Sequence, residues 1–180
     1  MKYFKILIIP ILLIVILSIG CERDDICPAS TPTTPRLIID FLDSVNPDNK
    51  KNVFDIVVAG VGNDFILDGY NFVSASTLML PLKTDDNTTQ YVIFKEAEVN
   101  DNGTLDDNTD DFVDGNSDVI TINYSREQVF VSRACGYKTI FKNVTLTIEP
   151  DSDNWMLSRQ PLTDNQSVED ETTTHFTITH

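Results

Sequence analysis

The sequence predicts an all-β chain, an antiparallel β-sandwich of Ig-like general plan, and three observations carry that prediction. Beyond residue 35, short runs of Val, Ile, Leu, Phe, Tyr and Thr alternate with polar residues at the period of two that half-buried strands require. Clusters of Asn, Asp, Gly and Pro separate these runs at close intervals, as turns would. No stretch there sustains the 3.6-residue period of a helix with one buried face. About eight or nine strands spaced in this way suit two packed sheets. A chain of 180 residues is long enough for one domain with a real core.

The first strand is expected at Leu37–Phe41 and the second at Val53–Val58, joined across the Asn46–Asn49 turn and ended by Gly60 and Gly62. Phe65–Phe72 is a mixed segment with a turn at Asp68-Gly69. Thr77–Leu82 reads as a third strand, with Pro81 marking an edge or an end. Asp85–Asn87 then turns into Gln90–Lys95, so that these two strands form a hairpin. Residues 98–118 are expected to be an acidic loop, because Asn100–Asp118 holds seven aspartates and two glycines and supplies little to a core. Strands follow at Val119–Tyr124, Val129–Ala134, Tyr137–Phe141 and Val144–Ile148, the last with Val144, Leu146 and Ile148 on one face and Thr145 and Thr147 on the other. Trp155 and Met156 open a looser segment. Thr172–Thr179 closes the chain as a strand with Phe176 and Ile178 inward and His175 and Thr177 outward. The longest alternating stretch, Glu127–Ile148, is the expected centre of the sheet.

Residues 1–20 stand apart. Lys2 and Lys5 precede an apolar run, and the small residues Ser18 and Gly20 close it, which is the pattern of a secretory signal peptide. Ile6–Ile19 is shorter than the roughly 20 residues of a membrane-spanning helix, and Pro10 interrupts it. Of the three cysteines, Cys21 follows this segment directly, leaving Cys27 and Cys135. An even pair in an oxidising compartment predicts one disulfide. Residues 21–35 form a tether with a Pro/Thr/Ser tract from Pro28 to Pro35, and residues 36–180 the folded domain.

The formal charge is −15, and it becomes more negative once the leader and its two lysines are removed. Nucleic acid, whose binding needs phosphate neutralisation by Lys and Arg, is excluded as a partner.

Ile19-Gly20-Cys21 resembles the lipobox of bacterial lipoproteins, in which the cysteine thiol carries lipid; Ser18 stands where that motif usually has leucine. Glu22-Arg23-Asp24-Asp25 resembles the export signal of Bacteroidota lipoproteins bound for the cell-surface face of the outer membrane, the alternative being the periplasmic face. The order of a lipidated Cys, a nearby second Cys before a Pro/Thr tract, LMLPL, INYSREQVFVSRACGYKTIF and a late HFTI resembles an uncharacterised family of Bacteroidota (flavobacterial) lipoproteins classed as a domain of unknown function. That resemblance implies a lipid anchor at Cys21 and brings no activity with it. Asp43-Ser44-Val45 resembles the tripeptide that Bacteroidota O-glycosylate, which makes Ser44 a candidate glycosylation site.

Candidate chemistry is sparse. Glu98, Asn100, Asn102 and Asp106, with Gly103 among them, approach the alternating oxygen ligands of a calcium loop, without the bidentate Glu at position twelve. The competing reading is a solvated hairpin loop. His175 and His180 do not pair as metal ligands, no nucleophile elbow is present, and Gly60-Val61-Gly62 lacks the rest of a dinucleotide fingerprint. Tyr70, Phe72, Tyr91, Phe94 and Trp155 either line a glycan platform or fill the core. The function expected is therefore a lipid-anchored, non-enzymatic interaction module that docks on an outer-membrane β-barrel or another envelope protein. The alternatives are a Ca²⁺-assisted glycan-binding module and, after it, a hydrolase.

Overall fold

The computed structural model describes residues 26–180 apart from 64, 105 and 163–165; the leader, Cys21 and the acidic residues 22–25 lie outside the described residues. Among the described residues the strands are β1 (Leu37–Leu42), β2 (Val53–Gly60), β3 (Val73–Ala75), β4 (Thr77–Leu80), β5 (Thr88–Asn100), β6 (Phe112–Ser132), β7 (Gly136–Ile148), β8 (Ser158–Pro161) and β9 (Phe176–Thr179). They form two sheets, ordered β4-β1-β9-β8 and β3-β2-β5-β6-β7. Most pairs are antiparallel, while β1 and β9 run parallel. The pairing establishes a two-sheet all-β sandwich; it does not establish an Ig-like strand plan.

Among the described residues, backbone packing gives two units, one of residues 26–31 with Phe130–Tyr137 and one of Pro32–Val129 with Lys138–His180. The larger unit holds the core. Leu37, Ile39 and Phe41 of β1 enter one cluster with Ile56 and Val58 of β2, Ile93 of β5, Ile120 and Ile122 of β6, and Leu146 of β7. Their spacing of two residues along each strand puts them on one face, and burying each side chain contributes about 1.5–3 kcal/mol. β1 is buried on its other face as well, where Asp40 accepts hydrogen bonds from Lys50 Nζ (2.7 Å), Thr77 Oγ1 (2.6 Å) and Thr174 Oγ1 (2.8 Å). Burial pushes this carboxyl up, but the bonds from Lys50, Thr77 and Thr174 outweigh it and hold the group below its ordinary range.

Nearly half of the acidic span is strand. β5 runs to Asn100 and β6 begins at Phe112, so Glu98 lies opposite Asp114 and the loop shrinks to residues 101–111. Backbone pairing needs no apolar side chains, and polar residues continue a ladder past the core. A bulge between Lys95 and Glu98, with Glu96 at φ 53°, faces Gly115 at φ 140°. A Cβ on Gly115 would lie 3.1 Å from Ala97 Cα and 3.1 Å from the Lys95 carbonyl oxygen, so only glycine fits.

Other expectations need correction. Thr77–Leu80 and the strand after it are not a hairpin: β4 pairs with β1 and β5 with β2 and β6, so the chain crosses between sheets at Pro81–Asn87. Alternation shows that a strand has a buried face and leaves its neighbour open. Val119–Tyr124 and Val129–Ala134 belong to the single strand β6, which ends at Ser132 and leaves Cys135 in the following turn rather than in a strand. His175 is buried, not outward; its Nδ1 accepts the Ile38 N–H at 2.9 Å, while Phe176 and Ile178 are inward as expected. Ser158–Pro161 forms a polar edge strand, β8, which pairs with β9.

In the smaller unit a disulfide joins Cys27 to Cys135, with Cα atoms 4.9 Å apart and 108 positions between them in sequence. The Cys135 N–H donates to Ser132 Oγ at 3.0 Å, closing the turn between β6 and β7. Phe130 and Tyr137 meet edge to face, ring centroids 5.4 Å apart.

Candidate functional site

The larger unit carries an open cleft of about 580 Å³ between residues 60–68, Pro81–Lys83 and Thr89–Tyr91. Its outer wall is a loop that leaves β2 at Gly60. Val61 N–H donates to the Gln90 carbonyl (3.1 Å), and Leu67 N–H returns to the Val58 carbonyl (2.7 Å). Within the loop Asn63 Oδ1 accepts the Phe65 N–H at 3.1 Å, an Asx turn that leaves the Phe65 ring 78% exposed on the rim. The Asp68-Gly69 turn predicted from sequence is present, with Tyr70 N–H donating to the Leu67 carbonyl (3.0 Å) and Gly69 at φ 87°.

The floor is rigid and polar. Lys83 N–H donates to Thr89 Oγ1 (3.0 Å), Thr89 Oγ1 and the Tyr124 hydroxyl are 2.6 Å apart, and that hydroxyl donates to the Lys83 carbonyl (3.0 Å). The Tyr91 hydroxyl donates to the Pro81 carbonyl. Burial pushes both phenols, Tyr91 and Tyr124, above the ordinary tyrosine range, so they stay neutral donors at any physiological pH. The cleft thus offers apolar surface from Val61, Phe65, Ile66 and Leu82, amides from Asn63 and Gln90, and one charge of each sign from Asp68 and Lys83. That set suits binding by contact and hydrogen bonding.

The calcium candidates are divided by the fold. Glu98 and Asn100 stand on β5, Asn102 and Asp106 in the loop. Asn100 Oδ1 accepts the Asn102 N–H (2.9 Å), and Asn100 Nδ2 donates to Asp114 (3.3 Å). Asn102 Nδ2 (3.1 Å) and Thr104 Oγ1 (2.8 Å) donate instead to Asp110, which these bonds hold below the ordinary carboxylate range. No group of three or more His, Cys, Asp or Glu placed to hold a metal occurs among the described residues. Asp43 Oδ1 accepts the Val45 N–H (3.0 Å), so Ser44 lies in an exposed Asx turn.

Residues 55–180 match the model of a family of unknown function. The chain belongs to the DUF6452 family. The matched span takes in β2 from Asp55 onward, every later strand and the whole cleft, and leaves β1 and Cys27 outside it. No curated protein and no solved structure gives a significant match to the chain.

Sequence reading missed Phe65 as an exposed ring; Tyr91 and Trp155, read as either glycan platform or core, are buried in the core. Asn63-x-Phe65, directly after the strand-ending Gly60-Val61-Gly62, was the available signal: Asx turns display the residue two positions on. Also missed was Asp118, completely buried, which accepts the Trp155 N–H (3.3 Å) and the Met156 N–H (2.7 Å). Burial pushes its carboxyl up against the pull of these bonds. It holds the loop under which Trp155 packs on Phe41, centroids 5.6 Å apart.

Proposed function

We propose that this DUF6452 member is a cell-envelope lipoprotein, anchored through lipid on Cys21 to the outer membrane at its cell-surface face, whose β domain is a non-enzymatic binding module for a membrane-protein partner. The periplasmic face is the alternative address. The observation that carries the binding reading is the cleft rimmed by the Phe65 ring, 78% exposed, beside the exposed Val61. Exposed apolar surface of this kind over a rigid floor is what a protein contact covers. Affinity purification from native membranes in mild detergent tests it. An outer-membrane protein is expected to co-purify with the wild-type chain and to be lost with Phe65→Ser; recovery of the chain alone overturns the reading. The anchor has its own test, since Cys21→Ala is expected to abolish incorporation of labelled lipid.

A Ca²⁺-assisted glycan-binding module is the second reading. It is favoured by the same exposed ring sharing one cleft with the Asn63 and Gln90 amides, the combination of stacking face and hydrogen-bonding groups that a sugar uses. Its calcium would be held by oxygens of Glu98, Asn100, Asn102 and Asp106. Silence in both a glycan array and Ca²⁺ calorimetry removes it.

A further inference from the structure

The smaller unit has a composition unlike the rest of the chain. Its described residues, Ile26–Thr31 and Phe130–Tyr137, contain no carboxylate and one charge, Arg133, in a protein with 28 Asp and Glu. Three large apolar side chains stand in solvent there: Ile26 at 82%, Tyr137 at 65% and Phe130 at 56% exposed. Phe130 and Tyr137 are locked edge to face by their 5.4 Å contact, so they present one aromatic surface rather than two independent rings. Beside them, Ile26, Pro28, Val131 and Ala134 line a cleft of about 560 Å³ that also contains Arg133.

Covalent geometry says what covers this surface. Six residue steps separate Cys21 from Cys27, and a fully extended chain covers no more than about 20 Å in that number. The disulfide adds 4.9 Å between Cα atoms, so the turn at Cys135 stays within about 25 Å of the lipid-bearing residue. With lipid on Cys21, two covalent links in series therefore hold the Cys135 turn, and Phe130 and Tyr137 on either side of it, within reach of the membrane surface. Tyrosine and phenylalanine with an adjacent arginine are the residues that settle at the level of lipid headgroups, the rings among the glycerol and upper acyl carbons and the guanidinium at phosphate.

We propose that this unit is a membrane foot: Ile26, Phe130 and Tyr137 seat in the headgroup zone of the bilayer that holds the lipid on Cys21, with Arg133 against lipid phosphate. The inference rests on the lipid-anchor reading above. The tether's Glu22, Asp24 and Asp25 outnumber its Arg23, so apolar contact drives the seating and a zwitterionic bilayer is sufficient.

The test uses the full lipidated chain reconstituted into phosphatidylcholine vesicles whose acyl chains carry bromine, which quenches indole fluorescence on contact. Trp155 is the one tryptophan of the sequence and is buried in the core, so the wild type is its own control. For Phe130→Trp a roughly twofold loss of the added emission against unbrominated vesicles is expected, as for a side chain about 5–10 Å into the interface, with the wild type unchanged and the effect insensitive to salt. Chain that stays on the vesicles with no quenching at position 130 overturns the foot and leaves the anchor standing. Chain that does not stay on the vesicles overturns the anchor and the foot together. Quenching that requires anionic lipid and vanishes in salt replaces apolar seating with charge attraction and also overturns the proposal.

Discussion

Replacing both Cys27 and Cys135 with serine removes the link that closes a loop of 108 positions. In the chain-entropy treatment, a loop of that length raises the free energy of the unfolded chain by about 4.8 kcal/mol at 25 °C. Almost all of the effect lies in the unfolded state, because β1 to β6 lie between the two cysteines and have less freedom in the unfolded chain while the bridge is intact. The assay is urea denaturation of a chain beginning at Glu22, followed by Trp155 fluorescence. The Trp155 ring sits in the larger unit, its Nε1–H donating to the Ile93 carbonyl at 3.3 Å, so it reports the core and not the staple. With a slope of about 2 kcal/mol/M, the midpoint should fall by about 2 M. Each single serine variant should match the double, since either one opens the loop. A midpoint that moves by less than about 0.5 M would refute the loop-entropy reasoning, and a single variant well below the double would mean that an unpaired thiol harms the fold.

Gly115→Ala drives a Cβ into the backbone of the β5 bulge at 3.1 Å and asks alanine for φ 140°, so it should lose about 2–3 kcal/mol in the same titration. Asp118→Ala leaves the buried N–H groups of Trp155 and Met156 without their acceptor and should cost about 2–4 kcal/mol, with a red shift in native Trp155 emission. Burial, opposed by Asp170, holds His175 below the ordinary histidine range, and burial does the same to His180. Their contribution to stability is therefore complete above pH 6.5 and is lost as the pH falls below that value, when protonation at His175 Nδ1 also breaks the bond to Ile38 N–H. His175→Asn retains an acceptor without a proton to gain, and thermal melts from pH 7.5 to 5 should show a flatter fall than the wild type.

The class of fold was legible because a period of two and regular turn signals are local properties of the chain. Val144, Leu146 and the terminal Phe176 and Ile178 are buried where alternation put them. Partnership between strands was not legible. Thr77–Leu80 pairs with Leu37–Asp40, some 40 positions back, and nothing in either run encodes the other. The same limit explains β8, whose Ser-Arg-Gln-Pro carries no strand signature and is held by hydrogen bonds to β9 alone. His175 was read as outward by parity, yet the strand begins only at Phe176, so parity did not apply to it. The cysteine pair was legible from number, since the expected anchor at Cys21 left two. Phe65 went unread, because its exposure is decided by the Asn63 turn that presents it and not by strand alternation.

The parallel pairing of β1 with β9 sets an order of events. Ile38 and His175, which bond in the finished sheet, are 137 positions apart, and β9 sits between β1 and β8. β1 can find β4 early, but its other edge stays bare until nearly the whole chain is available. The four-stranded sheet can therefore close only when the final strand slots in between the first and β8.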